Sequence, residues 1–292
     1  MTSNIKINDT VIPYTLFNAG EVNIKLLDDV IEPQTDIEAH LHSSDDIIAL
    51  MMLVNAIRQV NPVVELFVRI PYMPYSRQDR VCNEGEALSI KVMCDIINSL
   101  NFKAVLITDP HSDVTPALLN NCFIKTQVDC LKRGTEASES LSKLLVGNPE
   151  ETVLISPDAG ASKKTLAVAK EFGIERVVYA DKVRDTKTGE ITKTTVDSRA
   201  FEEPKKIDNY LIVDDICDGG RTFIELSKVL QGEGLAKNQI NLYLTHGIFS
   251  NGFEELEKHF NKIYCHNIFP DAEEDYAVSV ELEELRDFME VV

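Results

Sequence analysis

The sequence has few basic residues and no long apolar run. It contains 29 Lys and Arg residues against 48 Asp and Glu residues, which gives a formal net charge of −19. Because proteins bind the nucleic-acid backbone with clustered Lys and Arg, this deficit argues against a nucleic-acid partner. No window approaches the roughly 18 consecutive apolar residues that a membrane-spanning helix needs, and residues 1–9 contain no apolar signal-peptide core. We therefore predict a soluble, cytoplasmic protein without a membrane partner.

Cysteines at the spacing of metal sites or disulfide frameworks are also missing. None of the six forms a C-x-x-C pair, and the closest two are eight positions apart. This spacing predicts reduced thiols rather than a zinc site or a set of disulfides. The six are Cys82, Cys94, Cys122, Cys130, Cys217 and Cys265.

The sequence does contain a repeated alternation of short β-branched runs with amphipathic helical stretches. This alternation predicts an α/β fold with parallel sheets and helices on both of their faces. Ser44 is the predicted N-cap of the first helix, and Gly173 is predicted to close the third. The predicted helices are 45–60, 87–100 and 163–172, and the predicted strands are 63–70, 104–108, 153–155, 176–180, 210–213, 239–245 and 262–266.

A polar stretch near the middle of the chain marks a domain junction. We expect a first domain over residues 1–131 and a second over 132–277, with a tail of about residues 278–292 packing back on the first. Three predicted strands run directly into polar turns, at 106–111, 154–160 and 211–215. Since open α/β sheets bind ligands just beyond the carboxyl ends of their strands, all three turns are candidate sites.

The strongest motif is residues 210–223, Tyr-Leu-Ile-Val-Asp-Asp-Ile-Cys-Asp-Gly-Gly-Arg-Thr-Phe. Its two glycines let backbone N–H groups approach an anion, and the helix that follows adds its positive dipole. The adjacent acids can hold ribose hydroxyls, directly or through a metal, although an ordinary turn with solvated acids is the alternative. The segment resembles the motif shared by phosphoribosyltransferases and phosphoribosyl pyrophosphate synthetases. That resemblance implies a ribose-phosphate site made of Asp214, Asp215, Asp218, Gly219, Gly220, Arg221 and Thr222.

Residues 71–80, Pro-Tyr-Met-Pro-Tyr-Ser-Arg-Gln-Asp-Arg, distinguish the two families. They resemble the ATP-binding segment of the synthetases, which reads Pro-Tyr-x-Arg-Gln-Asp and is absent from the transferases. Arg77 and Arg80 offer forked donors for phosphate, and Gln78 offers an amide for the nucleotide. The resemblance places Asp79 in the same ATP site. A solvated basic turn is the alternative.

Two further turns resemble metal-binding segments of the synthetases. Asp109-Pro-His111 is similar to the family's Asp-Leu-His, whose histidine binds the Mg²⁺ on ATP, although a lone histidine is more often structural. Residues 156–160 match the family's Ser-Pro-Asp-x-Gly turn. Because Mg²⁺ prefers a few carboxylates together with substrate phosphates and water, scattered acids suit it. The implied metal-binding residues are Asp109, His111, Asp158, Asp214 and Asp215.

Lys182 and Arg184 match the family's Lys-x-Arg, which stands at the entrance of a flexible catalytic loop. The polar, Thr-rich stretch 185–199 is compatible with a mobile flap and also with an exposed β-hairpin. Near the N-terminus, Phe17 and Glu21 match a family loop that reaches the adenine of a neighbouring subunit, which implies a homo-oligomer, a dimer or a multiple of dimers. Ala19 departs from that loop's usual Asp or Asn.

Taken over residues 16–268, the chain resembles a shortened, divergent member of the ribose-phosphate pyrophosphokinase family. The resemblance implies two phosphoribosyltransferase-like domains, with ATP on the first and ribose phosphate on the second. It also implies a Mg²⁺-dependent transfer of the β,γ-pyrophosphoryl group of ATP to ribose 5-phosphate. Three alternatives stay open: the same transfer to a larger acceptor such as ADP-ribose, a phosphoribosyltransferase, and a non-catalytic subunit of a synthetase.

Overall fold

The computed structural model describes residues 4–27, 30–184, 191–197, 209–269 and 282–284, with the backbone alone for 182–184, 191–193 and 282–284. The chain divides into two compact units, Met1–Thr126 and Gln127–Val292. The predicted division after residue 131 would cut helix α4 (Gln127–Ala137), which begins the second unit. In the part of the chain that is described, no helix is long and apolar enough to cross a membrane.

The first unit is built on a six-stranded sheet with the order β2-β1-β5-β6-β7-β8. The last four strands are parallel, whereas β1 runs antiparallel to β5. A separate two-stranded hairpin is formed by β3 and β4. The elements are β1 (Ile5–Ile7), β2 (Thr10–Val11), β3 (Tyr14–Leu16), β4 (Val22–Ile24), β5 (Gln34–Ala39), α1 (Ser44–Val60), β6 (Glu65–Ile70), α2 (Ser89–Ser99), β7 (Ala104–Thr108), α3 (Val114–Leu118) and β8 (Cys122–Lys125).

Helix α1 begins with a capping box that moves its N-cap one residue from the predicted position. The hydroxyl of Ser43 accepts a hydrogen bond from the N–H of Asp46 at 3.2 Å, and Asp46 Oδ2 accepts one from the N–H of Ser43 at 2.9 Å. Each side chain thereby satisfies a backbone donor that the helix leaves unpaired. Ser43, not the predicted Ser44, is the N-cap.

The described helices of the first unit pack on one face of its sheet. Alternate strand residues such as Ile37, Val68 and Ile107 form a single core with α1, α2 and α3. The register row on the other face, Glu38–Arg69–Leu106–Phe123, stays at least partly exposed. Strands β5 to β8 follow one another in both chain and space, so right-handed crossovers place every connecting helix on the same side. The prediction of helices on both faces is therefore wrong for this described sheet.

The second unit is built on a seven-stranded sheet with the order β11-β10-β9-β12-β13-β14-β15, in which only β11 is antiparallel to its neighbour. Residues of β9 and β12 alternate between two cores: Ile155 and Ile212 face α7 and α8, whereas Leu154 and Leu211 face α4 to α6. Here the prediction of helices on both faces is confirmed. The elements are α5 (Glu139–Ser142), a π turn (Lys143–Gly147), a 3₁₀ turn (Pro149–Glu151), β9 (Thr152–Ser156), α6 (Ser162–Phe172), β10 (Val177–Arg184), β11 (Ile191–Val196), β12 (Asn209–Cys217), α7 (Arg221–Gly232), a 3₁₀ turn (Lys237–Gln239), β13 (Ile240–Gly247), α8 (Glu254–Glu257), β14 (Ile263–Ile268) and β15 (Leu282–Glu284).

All seven predicted strands exist, with bounds that differ by a few residues. Most of the tail that was expected to pack on the first domain lies outside the described residues. Its described part, β15, pairs in parallel with β14 at the edge of the second sheet.

Candidate active site

The candidate site of the second unit lies at the carboxyl ends of β9 and β12. These neighbours pair in parallel, with Leu211 beside Leu154 and Ile212 beside Ile155. The strand order reverses here, because β10 lies on one side of β9 and β12 lies on the other. Ligands of open α/β sheets bind in the crevice outside the strands at such a reversal. The predicted site turns 154–160 and 211–215 are therefore neighbours.

Asp214 and Asp215, near the end of β12, are held by residues of two other elements. Gln127 Nε2 donates to the main-chain carbonyl of Asp214 at 2.9 Å, and the N–H of Asp215 donates to Asp214 Oδ1 at 2.9 Å. Lys164 Nζ lies 3.3 Å from Asp215 Oδ2, and Asp215 is only 5% exposed. A buried carboxylate needs such a partner because desolvating an unpaired charge is costly. These contacts orient both acids.

Sequence reasoning missed Lys164 and Gln127. Lys164 had a usable signal: it stands in the first turn of α6, where the helix dipole disfavours a cation. A basic residue at that position indicates a nearby anion. Gln127 carries no comparable signal, because its contact with Asp214 joins positions 87 residues apart.

The turn after β12 joins that strand to the N-terminus of α7; we call residues 218–222 the phosphate loop. Gly220 is the N-cap of α7 with φ of 76°, and its carbonyl accepts from the N–H groups of Phe223 and Ile224 at 3.0 and 3.1 Å. Only glycine adopts this left-handed conformation without strain. Arg221 is exposed at the first helical position, and Thr222 is half-buried beside it. The first N–H groups of α7 can therefore bind an anion.

Replacing Gly220 with alanine is expected to lower the free energy of unfolding by about 1–2 kcal/mol, because alanine is strained at this φ. Its Cβ would also meet Leu256 Cδ2 at 3.0 Å. Urea denaturation measures the loss. Gly232→Ala at the other end of α7 is the matched control, since a Cβ there meets nothing within 4 Å. Equal stabilities of the two variants would contradict the conformational argument.

The phosphate loop is contacted from outside by two residues that sequence reasoning also missed. Ser250 Oγ donates to Asp218 Oδ1 at 2.6 Å, and Asn251 Nδ2 donates to the carbonyl of Gly219 at 3.2 Å. Both residues lie in the turn after β13. His246, near the end of that strand, is buried and contacts Asn267 Nδ2 through its Nδ1 at 3.2 Å, as suits a packing role.

Asp158 is held by hydrogen bonds within the turn that joins β9 to α6. Its Oδ1 accepts a hydrogen bond from the N–H of Ala161 at 3.1 Å, and its carbonyl accepts one from Ser156 Oγ at 2.8 Å. The turn thus holds this carboxylate at the strand end where the resemblance places a metal or ribose contact. In the described ranges, no group of three or more His, Cys, Asp or Glu side chains is arranged to hold a metal ion.

In the first unit, the Arg-Gln-Asp-Arg segment lies beside the turn that follows β7. Asp79 is 7% exposed and accepts two hydrogen bonds from Arg80, at 2.7 Å from Nε and 3.1 Å from Nη2. These bonds lower the pKa of Asp79 against the effect of burial, with smaller contributions from Ser112 and His111. The structure therefore brings together two predicted ATP-binding segments that are about thirty residues apart in sequence.

The remaining side chains of these segments differ in exposure. Asp109 is buried with φ of 38°, and its N–H donates to the carbonyl of Lys125 at 2.7 Å. Arg77, Gln78 and His111 are exposed, and the N–H of Gln78 donates to the carbonyl of Tyr75 at 2.9 Å. The exposed groups are the ones that can reach a nucleotide from this surface.

Comparison with known proteins gives two family matches along the chain. The model described as the N-terminal domain of ribose phosphate pyrophosphokinase matches residues 1–100, and the model described as the phosphoribosyl transferase domain matches residues 126–273. Together the two matches, in this order, cover most of the chain. The chain belongs to the ribose-phosphate pyrophosphokinase family.

Individual relatives agree with this assignment. Ribose-phosphate pyrophosphokinase from Pyrococcus furiosus is 29% identical over 87% of this chain and 84% of its own length. Ribose-phosphate pyrophosphokinase 2 from Archaeoglobus fulgidus is 29% identical over 75% of this chain and 69% of its own. The crystal structure of phosphoribosylpyrophosphate synthetase from Mycobacterium smegmatis shares the fold, with a TM-score of 0.74 at 16% identity, over 95% of this chain and 87% of that one.

The loop that resembles the adenine loop of the pyrophosphokinase family is the tip of the β3–β4 hairpin. The N–H of Phe17 donates to the carbonyl of Glu21 at 2.9 Å, and the N–H of Gly20 donates to the carbonyl of Phe17 at 2.8 Å. Phe17 is 57% exposed. The hairpin thus presents an aromatic ring to solvent at the position that the resemblance assigns to a base contact.

Lys182 and Arg184, which match the Lys-x-Arg of the pyrophosphokinases, belong to β10. This strand pairs antiparallel with β11, so Lys182 lies opposite Thr194 and Arg184 opposite Ile191, with a register shift between Val183 and Arg184. These paired strands agree with the predicted β-hairpin, which is also compatible with a flap. Both side chains and residues 185–190 lie outside what the structure describes.

Proposed function

We propose that the protein is a ribose-phosphate diphosphokinase that converts ATP and ribose 5-phosphate into phosphoribosyl pyrophosphate and AMP. The observation that carries this proposal is the pairing of two oriented acids with a phosphate loop at the strand-order reversal of the second unit. A phosphoribosyltransferase would need the same site. The Arg-Gln-Asp-Arg segment and the first unit's match to pyrophosphokinases favour the diphosphokinase over it.

Each group of the second unit has a separate task in this proposal. Asp214 and Asp215 bind hydroxyl groups of the ribose, in the orientation that Gln127 and Lys164 maintain. The phosphate loop binds the 5-phosphate with the N–H groups at the start of α7 and the hydroxyl of Thr222. Ribose 5-phosphate is then fixed at both ends, which leaves its C1 hydroxyl to react.

The first unit binds ATP in this proposal. Arg77 and Arg80 contact the phosphates, with Arg80 oriented by its two hydrogen bonds to Asp79. Gln78 and His111 are exposed and contact the nucleotide, and Phe17 with Glu21 contacts adenine. The sequence match of Phe17 and Glu21 supports a shared adenine site and hence a homo-oligomer, which stays a prediction, as does the cytoplasmic location.

The reaction itself requires positioning and charge neutralisation rather than a covalent intermediate. The C1 oxygen of ribose 5-phosphate attacks the β-phosphorus of ATP in line, and the bond from that phosphorus to the oxygen bridging it to the α-phosphorus breaks. AMP leaves with the bridging oxygen, and the hydroxyl proton is released. Lys182, Arg184 and Arg77 neutralise charge on the oxygens around the transferred group.

The donor set suits Mg²⁺. Hard carboxylate oxygens stand at strand ends in both units, and Mg²⁺ is usually bound by one or two such groups together with substrate phosphates and water. Asp109 and His111 would hold such a cation in the first unit, and Asp158, Asp214 and Asp215 would hold one in the second. When bound, the cation would withdraw charge from the triphosphate oxygens.

Mass spectrometry of the products tests the function. The protein is incubated with ATP and Mg²⁺ and with ribose 5-phosphate, ADP-ribose or no acceptor. We expect phosphoribosyl pyrophosphate and AMP in equal amounts with ribose 5-phosphate. Pyrophosphorylated ADP-ribose as the preferred product would favour the larger acceptor, and no AMP in any reaction would contradict the proposal and favour a non-catalytic subunit.

The presence of Arg221 is the observation that favours the alternative with a larger acceptor such as ADP-ribose. The family loop commonly reads Asp-Thr-x-Gly-Thr, whereas this chain has Asp218-Gly-Gly-Arg-Thr222, which adds an exposed cation at the head of α7. Arg221→Thr is expected to change the ratio of kcat/KM between ribose 5-phosphate and ADP-ribose while the ATP KM stays the same. Steady-state kinetics with both acceptors measures this ratio. An unchanged ratio would show that Arg221 does not select the acceptor.

A further inference from the structure

The phosphate loop is contacted by a neighbouring turn, residues 248–252, which we call the support turn. Ser250 contacts the side chain of Asp218, and Asn251 contacts the main chain of Gly219. We propose that Ser250 and Asn251 are positioning residues that set the conformation in which the phosphate loop binds a phosphate monoester. This inference rests on the proposed function for the identity of that ligand, ribose 5-phosphate.

The support turn is itself anchored firmly enough to position another segment. The N–H groups of Ile248 and Phe249 both donate to the carbonyl of Cys217, at 2.8 and 3.3 Å, and Gly252 donates to the carbonyl of Phe249 at 2.8 Å. The ring of Phe249 is buried, and its centroid lies 4.2 Å from the centroid of the Phe253 ring. The turn is therefore fixed to the end of β12, the strand from which the phosphate loop departs.

Asn251 selects one orientation of the peptide between Gly219 and Gly220. Two successive glycines allow this peptide to rotate, because neither has a Cβ that restricts its backbone. In the structure the Gly219 carbonyl accepts a hydrogen bond from Asn251 Nδ2 at 3.2 Å. The C=O and N–H groups of a trans peptide point in opposite directions, so this bond also sets the direction of the Gly220 N–H. Rotation of the peptide would break the bond and turn the carbonyl oxygen away from Asn251, toward an anion beside the loop.

Ser250 orients the side chain of Asp218, the acidic residue of the phosphate loop. An unrestrained carboxylate beside a phosphate would repel it, since like charges at short range oppose binding. The hydrogen bond from Ser250 Oγ to Asp218 Oδ1 is short, 2.6 Å, as charge-assisted bonds between oxygens are. It holds the carboxylate on the side of the support turn. Ser250 and Asn251 are both exposed, so replacing them removes these bonds without opening the core.

Four variants separate hydrogen bonding from shape: Asn251→Ala, Asn251→Asp, Ser250→Ala and Ser250→Thr. Calorimetric titration of ribose 5-phosphate without ATP measures the Kd, and kinetics measures both KM values. Asn251→Ala is expected to raise the Kd and the KM for ribose 5-phosphate roughly 10-fold. Asn251→Asp should raise them further, because its carboxylate oxygen would face the Gly219 carbonyl. Ser250→Ala should act in the same direction, Ser250→Thr should restore binding, and the ATP KM should not change.

A serine in the other unit provides the control. Ser99→Ala removes a hydroxyl that donates an equally short bond, 2.6 Å, to the carbonyl of Ile96. It should leave the Kd for ribose 5-phosphate unchanged. Gly219→Ala should also weaken ribose 5-phosphate binding, since its Cβ would meet Asn251 Nδ2 at 2.6 Å and displace the amide.

The outcomes distinguish this inference from the proposed function. If the wild-type protein binds ribose 5-phosphate but forms no AMP, and the Asn251 variants weaken that binding, the inference holds and the function fails. Normal ribose 5-phosphate binding by folded Asn251→Ala and Asn251→Asp would overturn the inference alone. Equal rises in both KM values would also overturn it, because they indicate a general structural role. A wild-type protein that binds no ribose 5-phosphate overturns it as well.

Discussion

Removing divalent cations is expected to abolish AMP formation, and Mg²⁺ added in excess of the chelator is expected to restore it. The site must bring a triphosphate and a sugar phosphate close to adjacent acids, and like charges at short range repel strongly. The acids are themselves negatively charged, so they add to the charge that a cation must offset. Asp215 Oδ2 is already paired with Lys164 at 3.3 Å, and Asp158 Oδ1 already accepts the N–H of Ala161 at 3.1 Å.

Because these carboxylate oxygens already have partners in the protein, we expect Mg²⁺ to enter the site bound to ATP. Mg²⁺ dehydrates reluctantly and is usually bound through substrate phosphates. We therefore expect Mg²⁺ alone to leave the Tm of the protein unchanged, and Mg²⁺ with ATP to raise it. Chromatographic assay of AMP in EDTA, with Mg²⁺-saturated EDTA as the control, measures the activity. Undiminished turnover in excess free EDTA would show that the metal assignment is wrong.

Much of the site could be predicted from the sequence because its main parts are local. The motif 210–223 contains a strand, a turn and a helix start in one continuous segment, and the structure has β12, the phosphate loop and α7 in those places. Gly220, whose φ is left-handed, belongs to the same segment, and a glycine adopts that conformation without strain. A site formed by one continuous segment of about fifteen residues can be predicted without knowing the rest of the fold.

The parts that sequence reasoning missed depend on contacts between distant positions. Ser250 reaches Asp218 across 32 positions, and Lys164 reaches Asp215 across 51. Which strand lies beside β12 decides both contacts, and no local pattern encodes that neighbour. The one-residue error at the N-cap of α1 is different, because Ser43 and Asp46 have the spacing of a capping box and could have been recognised.

The one-sided sheet of the first unit was missed for a topological reason. The alternation of strands and helices predicts parallel strands, but it does not give their order in space. Consecutive order from β5 to β8 places the described helices on one face, whereas the reversal at β9 and β12 places them on two. The composition of the strands offers a partial signal. On the face of the first sheet that the described helices do not cover, the apolar Phe67 and Leu106 alternate with the charged Glu38 and Arg69.

Replacing Lys182 with alanine is expected to lower kcat about 10²- to 10³-fold, the usual cost of removing one preorganised donor to a developing charge. During the transfer, negative charge grows on the oxygens around the β-phosphorus and on the departing AMP. A cation delivered by a closing segment contacts these oxygens mainly in the transition state, so its loss affects kcat rather than KM. Arg184→Ala should behave in the same way.

Two comparison variants make the result for Lys182 decisive. Lys193→Ala removes the same charge from the neighbouring strand, at a position opposite Val183 and one register step from the Lys182–Thr194 pair. It should retain most of the activity. Arg77 belongs to an exposed turn of the first unit that is in place without a closing segment, so Arg77→Ala should raise the ATP KM instead. Steady-state kinetics with varied ATP separates the two effects. If Lys182→Ala raises the ATP KM with kcat unchanged, Lys182 contacts ATP already in the ground state. The proposal that Lys182 stabilises the transition state would then be wrong.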